Sequence, residues 1–264
     1  MLLVMALGCL MLPMPLSMDI RGWQETYPLN GPGWSLFFEY IVNILYAVLV
    51  RKFSKLALGI LVALSAAALL HLTLARPEGD VVGGWALEPV QLHIGFTRVM
   101  YPFFAGLLLY RTSKPGRVNN AFFWSSLLVI VVLAMPRLGG LARPWVNGLY
   151  ESLSIILVFP LIILLGASGE LVVPYTKKLC KFLGDISYPI YITHYPLIYI
   201  YTAWVYNHKV PLRAGWPFAM LTFFSAIALA YAALKFYDEP ARAWLQKKLA
   251  APAAQSHQPG VAVP

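Results

Sequence analysis

The sequence has few charged residues and few cysteines. Only 12% of its 264 residues are charged and 59% are hydrophobic, against about 25% and about 45–50% in an ordinary soluble domain. The two cysteines, Cys9 and Cys180, are too few and too far apart to indicate a disulfide or metal framework. The composition therefore excludes a soluble globular domain and a cysteine-stabilised one.

Several motifs are missing, and their absence excludes whole classes of mechanism. The chain has neither a Gly-x-Ser-x-Gly turn nor a His-x-x-x-x-Asp pair, so soluble acyl-transfer mechanisms lack their residues. It has no Walker loop, which argues against a nucleotide-driven pump. A secondary transporter should show internal repeats, and no convincing duplication relates the two halves.

The chain does contain long apolar segments, and a membrane helix needs roughly 20 apolar residues. Eight segments qualify or nearly do: 1–16, 34–50, 56–75, 92–110, 119–136, 148–167, 183–206 and 215–237. The sequence therefore predicts an all-α fold, a polytopic transmembrane bundle of about eight segments. One membrane domain is expected over 1–249, and a disordered tail over 250–264.

The first segment differs from the others. It is interrupted by Pro13 and Pro15 and has no Lys or Arg before its apolar run. A secretory signal normally begins with a basic region, and a full span would be longer. We therefore expect a short helix there.

The net charge of +9 is distributed unevenly among the connections. Alternate connections, at 51–55, 111–117, 176–182 and 235–248, hold 13 Lys and Arg residues, and the opposite connections hold 6. The positive-inside rule then places both termini in the cytoplasm and the 19–33 loop outside. Because the charge follows topology, membrane lipid is the expected partner and no nucleic-acid partner is predicted.

Glu39 is an acid inside an apolar helix. Ser35 lies four residues before it and Asn43 four after it, so the three share one helical stripe. Such a stripe should face the bundle interior or a wet cavity. Two interpretations stay open: a structural ion pair with Arg98, at a similar expected depth in another helix, or a place in a functional site.

Ser187, Tyr191 and His194 recur at i, i+4 and i+7 in a second polar segment. His194 is expected near the middle of the membrane, and the ordinary pKa of histidine suits proton transfer. The alternative is a neutral histidine that hydrogen-bonds to a neighbouring helix. Pro189 and Pro196 should kink this helix.

Four blocks resemble, in order and spacing, the acyltransferase type 3 family of multi-helix membrane enzymes. They read NGPGWSLFFEYIVNILYA, TRVMYPFFAGLLLYR, FLGDISYPIYITHYPLIY and FYDEPARAWL, within residues 27–246. The more specific matches are the Trp-Ser-Leu-x-x-Glu block, which begins at Trp34, and the Ser-Tyr-Pro-x-Tyr-x-x-His block, which begins at Ser187.

The resemblance implies a membrane-bound acyltransferase of the bacterial cytoplasmic membrane. It would move an acetyl or other acyl group from acyl-CoA, its donor substrate, to a hydroxyl of a glycan or glycoside. No bound cofactor and no metal are expected. His194 and Glu39 are the catalytic candidates, and the substrate-binding candidates are Trp34, Ser35, Asn43, Arg98, Ser187 and Tyr191.

The chain also departs from the family pattern. Family members usually begin with further membrane helices, one of which carries a histidine thought to be catalytic, and nothing before Trp34 supplies it. We therefore expect little activity from the chain as given. The alternatives are a non-catalytic scaffold or remnant, or a secondary transporter.

Overall fold

The computed structural model describes residues 2–20, 22, 24–114, 116–169 and 174–250, and the regular structure in those ranges is helical. The helices are α1 (Leu2–Cys9), α2 (Gly33–Val48), α3 (Lys55–Ala75), α4 (Pro89–Thr112), α5 (Ala121–Ala134), α6 (Trp145–Leu153), α7 (Phe159–Ala167), α8 (Pro174–Asn207), α9 (Leu212–Ala233) and α10 (Glu239–Ala250). π-helical segments, Ser154–Val158 and Leu234–Asp238, join α6 to α7 and α9 to α10. The predicted all-α class is confirmed. The predicted tail lies outside the described residues, apart from residue 250, where α10 ends.

The helix of the first apolar segment is short, as predicted. α1 has 8 residues, and the chain is irregular before a single 3₁₀ turn at Leu16–Met18. Pro13 and Pro15 follow α1, and a proline disfavours helical geometry in the residue before it. The apolar run therefore ends as a helix well before it could cross a bilayer.

In the part of the chain that the structure describes, four helical runs are long and apolar enough to cross a membrane. They are Lys55–Ala75, Pro89–Thr112, Trp145–Ala167 and Leu212–Leu249. α2 and α5 are apolar but shorter. α8 has 34 residues, but its tyrosines, its prolines and His194 make it less hydrophobic than the four. Together with the blocks of apolar sequence, these helices identify an integral membrane protein.

The chain divides into two compact units, residues 1–177 and 178–264. In the first unit, α3 packs along α4 and α6, α2 packs on α4, and α5 packs on α7. One core cluster joins Val50, Leu58 and Phe104, and a second joins Leu69, Tyr101 and Ala105. The second unit consists of most of α8 together with α9 and α10.

A small-residue face on α6 brings that helix close to α3. A Cβ built on Gly148 would lie 2.4 Å from the Thr73 carbonyl oxygen, so only glycine fits there. One turn later, the Ser152 hydroxyl hydrogen-bonds to the Thr73 hydroxyl at 2.5 Å. Small residues spaced by four allow membrane helices to approach closely, and hydroxyl contacts across them add specificity.

Each π-helical segment precedes a proline. In an α-helix the N–H of residue i donates to the carbonyl of residue i−4, and Pro160 has no N–H to give to Ile156. The Tyr101 hydroxyl of α4 donates to the Ile156 carbonyl at 2.7 Å instead. Pro240 stands at the same spacing after the second segment. The tyrosine therefore compensates for the first proline and ties α4 to the irregular turn.

Candidate functional site

The N-terminus of α2 is held by the loop that precedes it. Pro32 and Gly33 begin the helix, and the Tyr27 ring packs on Gly33, where an added Cβ would lie 3.0 Å from Tyr27 Cγ. The Tyr27 hydroxyl donates to the Met11 carbonyl at 2.9 Å. Burial, with a smaller effect of Tyr40, raises the pKa of Tyr27 to about 12. This loop therefore fixes where Trp34 and Ser35 enter the membrane region.

Arg98 of α4 contacts Trp34, another predicted site residue. Its guanidinium carbon lies 4.7 Å from the centre of the Trp34 ring, a cation–π distance. Its Nη1 donates to the Gly83 carbonyl at 2.5 Å. The arginine therefore joins α4, α2 and the 81–88 loop at one end of the bundle.

Further contacts attach the same loop and α2 to α4. The Gly84 N–H donates to the Gln91 Oε1 at 2.6 Å. An added Cβ on Gly95 would lie 2.2 Å from the Phe38 ring, so the ring rests directly on the α4 backbone. Phe38 also meets Phe96 edge to face, at a centroid distance of 5.0 Å. Trp34 therefore stands in a rigid aromatic and cationic setting.

Glu39 and Asn43 share one side of α2, as predicted, and both are exposed. Asn43 Nδ2 donates to the Glu39 main-chain carbonyl at 2.8 Å, which leaves the Glu39 carboxylate out of that contact. Ser35, one turn earlier, is half-buried, and its hydroxyl donates to the Pro32 carbonyl at 3.2 Å. The buried side of α2 is formed by Leu36, Phe38 and Val42. An acid and an amide are thus presented away from the helices that pack on α2, so the prediction that this stripe faces the bundle interior is wrong for Glu39 and Asn43.

The predicted ion pair between Glu39 and Arg98 is wrong: among the described residues, no ion pair joins them. The reason is helical geometry. Trp34 and Glu39 are five residues apart, so they lie about 7.5 Å apart along the axis and about 140° apart around it. A guanidinium that stacks on Trp34 and reaches the Gly83 carbonyl points away from the carboxylate.

The second group of predicted residues lies on α8, in the second unit. Ser187 donates to the Gly184 carbonyl at 2.8 Å, and the rings of Tyr191 and His194 are 6.3 Å apart. Pro189 and Pro196 both stand inside α8. Ser187 is exposed, whereas Tyr191 and His194 are half-buried. The predicted grouping of the three on one helix is confirmed.

The contacts of His194 fix its tautomer. Its Nδ1 lies 2.7 Å from the Ile190 carbonyl oxygen and 3.1 Å from that of Tyr191. A carbonyl can only accept, so Nδ1 carries the hydrogen, and in neutral imidazole Nε2 then carries a lone pair. His194 is therefore arranged to accept a proton at Nε2.

A polar network between α3, α6 and their loops has no counterpart in the sequence predictions. Asp80 is buried and pairs with Arg137 at 3.1 Å, and it lies 3.8 Å from Arg76. The Glu151 carboxylate accepts from the Val81 N–H at 3.0 Å and from Asn147 Nδ2 at 2.7 Å. The sequence could have indicated Glu151, because it is, like Glu39, an acidic residue inside an apolar segment. These contacts close one end of the first unit, and they stabilise the fold.

The other end of the first unit is cationic. Arg111 Nη1 donates to the Phe53 carbonyl at 2.8 Å, and its Nη2 donates to the Arg51 carbonyl at 3.4 Å. These bonds join the end of α4 to the turn between α2 and α3. Arg51, Lys52 and Lys55 are exposed on that turn. The cluster forms a surface suited to phosphate groups.

Comparison with known proteins gives a family. The model of the acyltransferase type 3 family, described as an acyltransferase domain, matches residues 1–235. No curated protein and no solved structure gives a significant match. The match covers most of the chain and includes both groups of predicted site residues.

Proposed function

The chain belongs to the acyltransferase type 3 family, and from this premise we propose that it moves an acyl group from acyl-CoA to a hydroxyl of a glycan or glycoside. The observation that carries the proposal is His194, which would serve as a base within this chain, contrary to the expectation of little activity from the chain as given. His194 lies thirteen residues before the end of α8, about 20 Å along the axis, and its Nε2 has a lone pair. A base at this depth can serve an acceptor that enters from one side of the membrane and a donor that enters from the other.

The reaction needs one base and no redox step. The acceptor hydroxyl oxygen attacks the thioester carbonyl carbon while its proton passes to His194 Nε2. The carbon–sulfur bond then breaks, an ester forms, and the proton passes from His194 to the departing CoA thiolate. His194 thereby returns to its starting state. Its Nδ1 keeps its hydrogen throughout, and that hydrogen stays hydrogen-bonded to the Ile190 carbonyl.

On the first unit taken by itself, the polar residues of α2 are the candidates for substrate contacts. The Glu39 carboxylate accepts hydrogen bonds from hydroxyl groups, and sugars present several. Asn43 can donate and accept one turn deeper. Trp34, held by Arg98, offers a rigid aromatic face of the kind on which sugar rings stack.

The donor is expected at the cationic end of the first unit. CoA carries several phosphates, and Arg51, Lys52 and Lys55 are exposed cations on one turn. The excess of Lys and Arg in this connection and its alternates predicts that it faces the cytoplasm, where acyl-CoA is found. The expected bacterial cytoplasmic membrane location rests on the same reasoning.

The test uses membranes that contain the chain, labelled acetyl-CoA, and extraction of cell-surface glycans. His194→Asn keeps an amide near the position of Nδ1 and removes Nε2, so label should fall by about 10²–10⁴-fold, the usual contribution of a general base. His71→Asn is the matched control, because His71 is an exposed histidine on α3. The amount of folded protein is measured for each variant by size exclusion in detergent.

The outcomes are distinct. If the His194→Asn variant transfers as much label as the wild type, His194 is not the base. Another residue would then have to be the base. No label from the wild-type chain, across several acyl donors, would favour a non-catalytic scaffold. Lys52→Ala with Lys55→Ala should raise KM for acyl-CoA and leave kcat nearly unchanged.

A further inference from the structure

The hairpin formed by α8 and α9 is held together by aromatic side chains near its connecting turn. The rings of Trp204 and Phe218 lie 4.6 Å apart, and the Tyr201 hydroxyl donates to the Gly215 carbonyl at 3.3 Å. Gly215 is buried, and an added Cβ would lie 3.1 Å from the Tyr201 hydroxyl.

An open cleft of about 310 Å³ lies between the two helices beyond these rings. Leu197 and Ile200 of α8 and Leu221 of α9 line it, together with Trp204 and Phe218. The Thr222 hydroxyl in its wall donates to the Phe218 carbonyl at 2.8 Å. The cleft therefore offers mainly apolar surface, although Tyr201, Thr222 and Ser225 also line it. Its volume is within the usual range of small-molecule sites, roughly 300–1,000 Å³.

The turn that connects α8 to α9 is positively charged. Lys209 and Arg213 are exposed at the turn, and the sequence has no Asp or Glu from residue 186 to residue 237. Arg213 is five residues before Phe218, about 7.5 Å along the helix axis. Tyr206 and Trp216 are exposed beside the turn, and such aromatic residues are enriched at the membrane–water interface. The turn therefore has the composition of a membrane interface, with cations near the headgroup level.

We propose that this hairpin binds an anionic phospholipid. One acyl chain lies in the cleft along Leu197, Trp204 and Leu221, and the phosphate contacts Lys209 and Arg213. Charge complementarity decides between occupants, because a zwitterionic lipid gains no net attraction from two cations whereas an anionic one does. The donor acyl-CoA is disfavoured here, because its phosphates are expected at the opposite, cytoplasmic side.

The test measures lipid binding directly and does not depend on acyl transfer. The full chain, purified in detergent, is titrated with dioleoyl phosphatidylglycerol or with dioleoyl phosphatidylcholine, and bound lipid is counted by native mass spectrometry. Phosphatidylglycerol should bind more tightly. Lys209→Asn and Arg213→Gln should each weaken its binding roughly fivefold, and should weaken the binding of phosphatidylcholine, whose phosphate charge is offset by its choline, much less. Asparagine is chosen at 209 because φ there is +50°, a left-handed value that asparagine tolerates.

Two further variants complete the design. Lys247→Gln with Lys248→Gln removes two exposed cations of α10 in the same unit, and this control should leave phosphatidylglycerol binding unchanged. Leu221→Trp, at a position that is 62% exposed, fills the cleft and should weaken the binding of both lipids. Equal binding of the two lipids, or no effect of Lys209→Asn with Arg213→Gln, would overturn the proposal. Either failure would leave the proposed acyl transfer untouched.

Discussion

Arg98 shows how a buried-ion argument can find the right residue and the wrong partner. The sequence indicated that an intramembrane arginine needs compensation, and the structure supplies it from the Trp34 ring and the Gly83 carbonyl. A backbone carbonyl has no sequence signature, so this contact could not be read from composition or spacing. Glu39 was correctly predicted to stand on a polar stripe with Asn43, because helical periodicity alone decides that.

The first prediction concerns Glu39 and Arg98. Arg98→Gln should cost about 1–3 kcal/mol of stability, because the Gly83 carbonyl loses a charged donor and Trp34 its cation. Glu39→Gln should cost much less, and the double variant should be additive within about 0.5 kcal/mol, since no contact among the described residues joins the two side chains. Unfolding in detergent measures all three. If the double variant loses clearly less stability than the two single variants together, Glu39 and Arg98 interact after all.

The second prediction concerns Tyr27 and alkaline pH. Its pKa is about 12 in the folded protein, above the ordinary value near 10. From pH 10 to pH 12 the unfolded chain therefore releases this proton while the folded chain retains it, and stability should fall as pH rises. Tyr27→Phe removes the effect, so the stability difference between wild type and variant should change across that window. A difference that stays constant with pH would contradict the prediction.

At the scale of elements, the α3–α6 contact depends on a glycine. Gly148→Ala should destabilise the first unit by about 1–3 kcal/mol, because the new Cβ meets the Thr73 backbone, which cannot move aside as a side chain would. Gly106→Ala on α4 is the control, since no heavy atom lies within 4 Å of a Cβ built there. Thermal unfolding of both variants in one detergent makes the comparison. Equal stability of the two would show that α3 and α6 can separate at little cost.

The first π-helical segment gives a fourth prediction. Tyr101→Phe leaves the Ile156 carbonyl without its donor and should cost about 1–3 kcal/mol. In a Pro160→Ala background the new N–H can donate to the same carbonyl, so the same change should cost less. The stability lost on Tyr101→Phe is measured in each background by unfolding in detergent. The difference between the two losses gives the contribution of the hydrogen bond from Tyr101 to the Ile156 carbonyl. Equal costs in both backgrounds would mean that the tyrosine acts only by packing.

The elements themselves were predictable to a large extent, and their irregularities were not. Apolar blocks indicate membrane helices because the bilayer requires internal hydrogen bonding, so all eight predicted segments contain a helix. The first π-helical segment is contacted by a tyrosine that is more than fifty residues away in sequence. The pairing of Asp80 with Arg137 likewise joins loops that no periodicity connects. Such contacts follow from tertiary packing, which a single sequence does not display.

At the scale of the whole molecule, the orientation in the membrane stays a prediction. Cys9→Ala and Cys180→Ala give a chain without cysteine, into which one cysteine is placed at Asn207 or at Ser113. An impermeant thiol reagent applied to intact cells should label position 207 and miss position 113, because Lys and Arg concentrate in the connections on the side of Ser113. The reverse labelling pattern would mean that the predicted orientation is wrong. The side of the membrane on which acyl-CoA is expected to bind would then be wrong as well.

The lengths of the shorter helices affect the membrane around the protein. α2 has 16 residues and α5 has 14, about 24 Å and about 21 Å of helix, against a hydrocarbon core of about 30 Å. A short apolar stretch is accommodated by local thinning of the bilayer. On the proposed reaction, the acyl group would then cross about 6 Å less hydrocarbon beside α2 than in the surrounding bilayer. The Glu39 side chain would lie correspondingly closer to water on both sides.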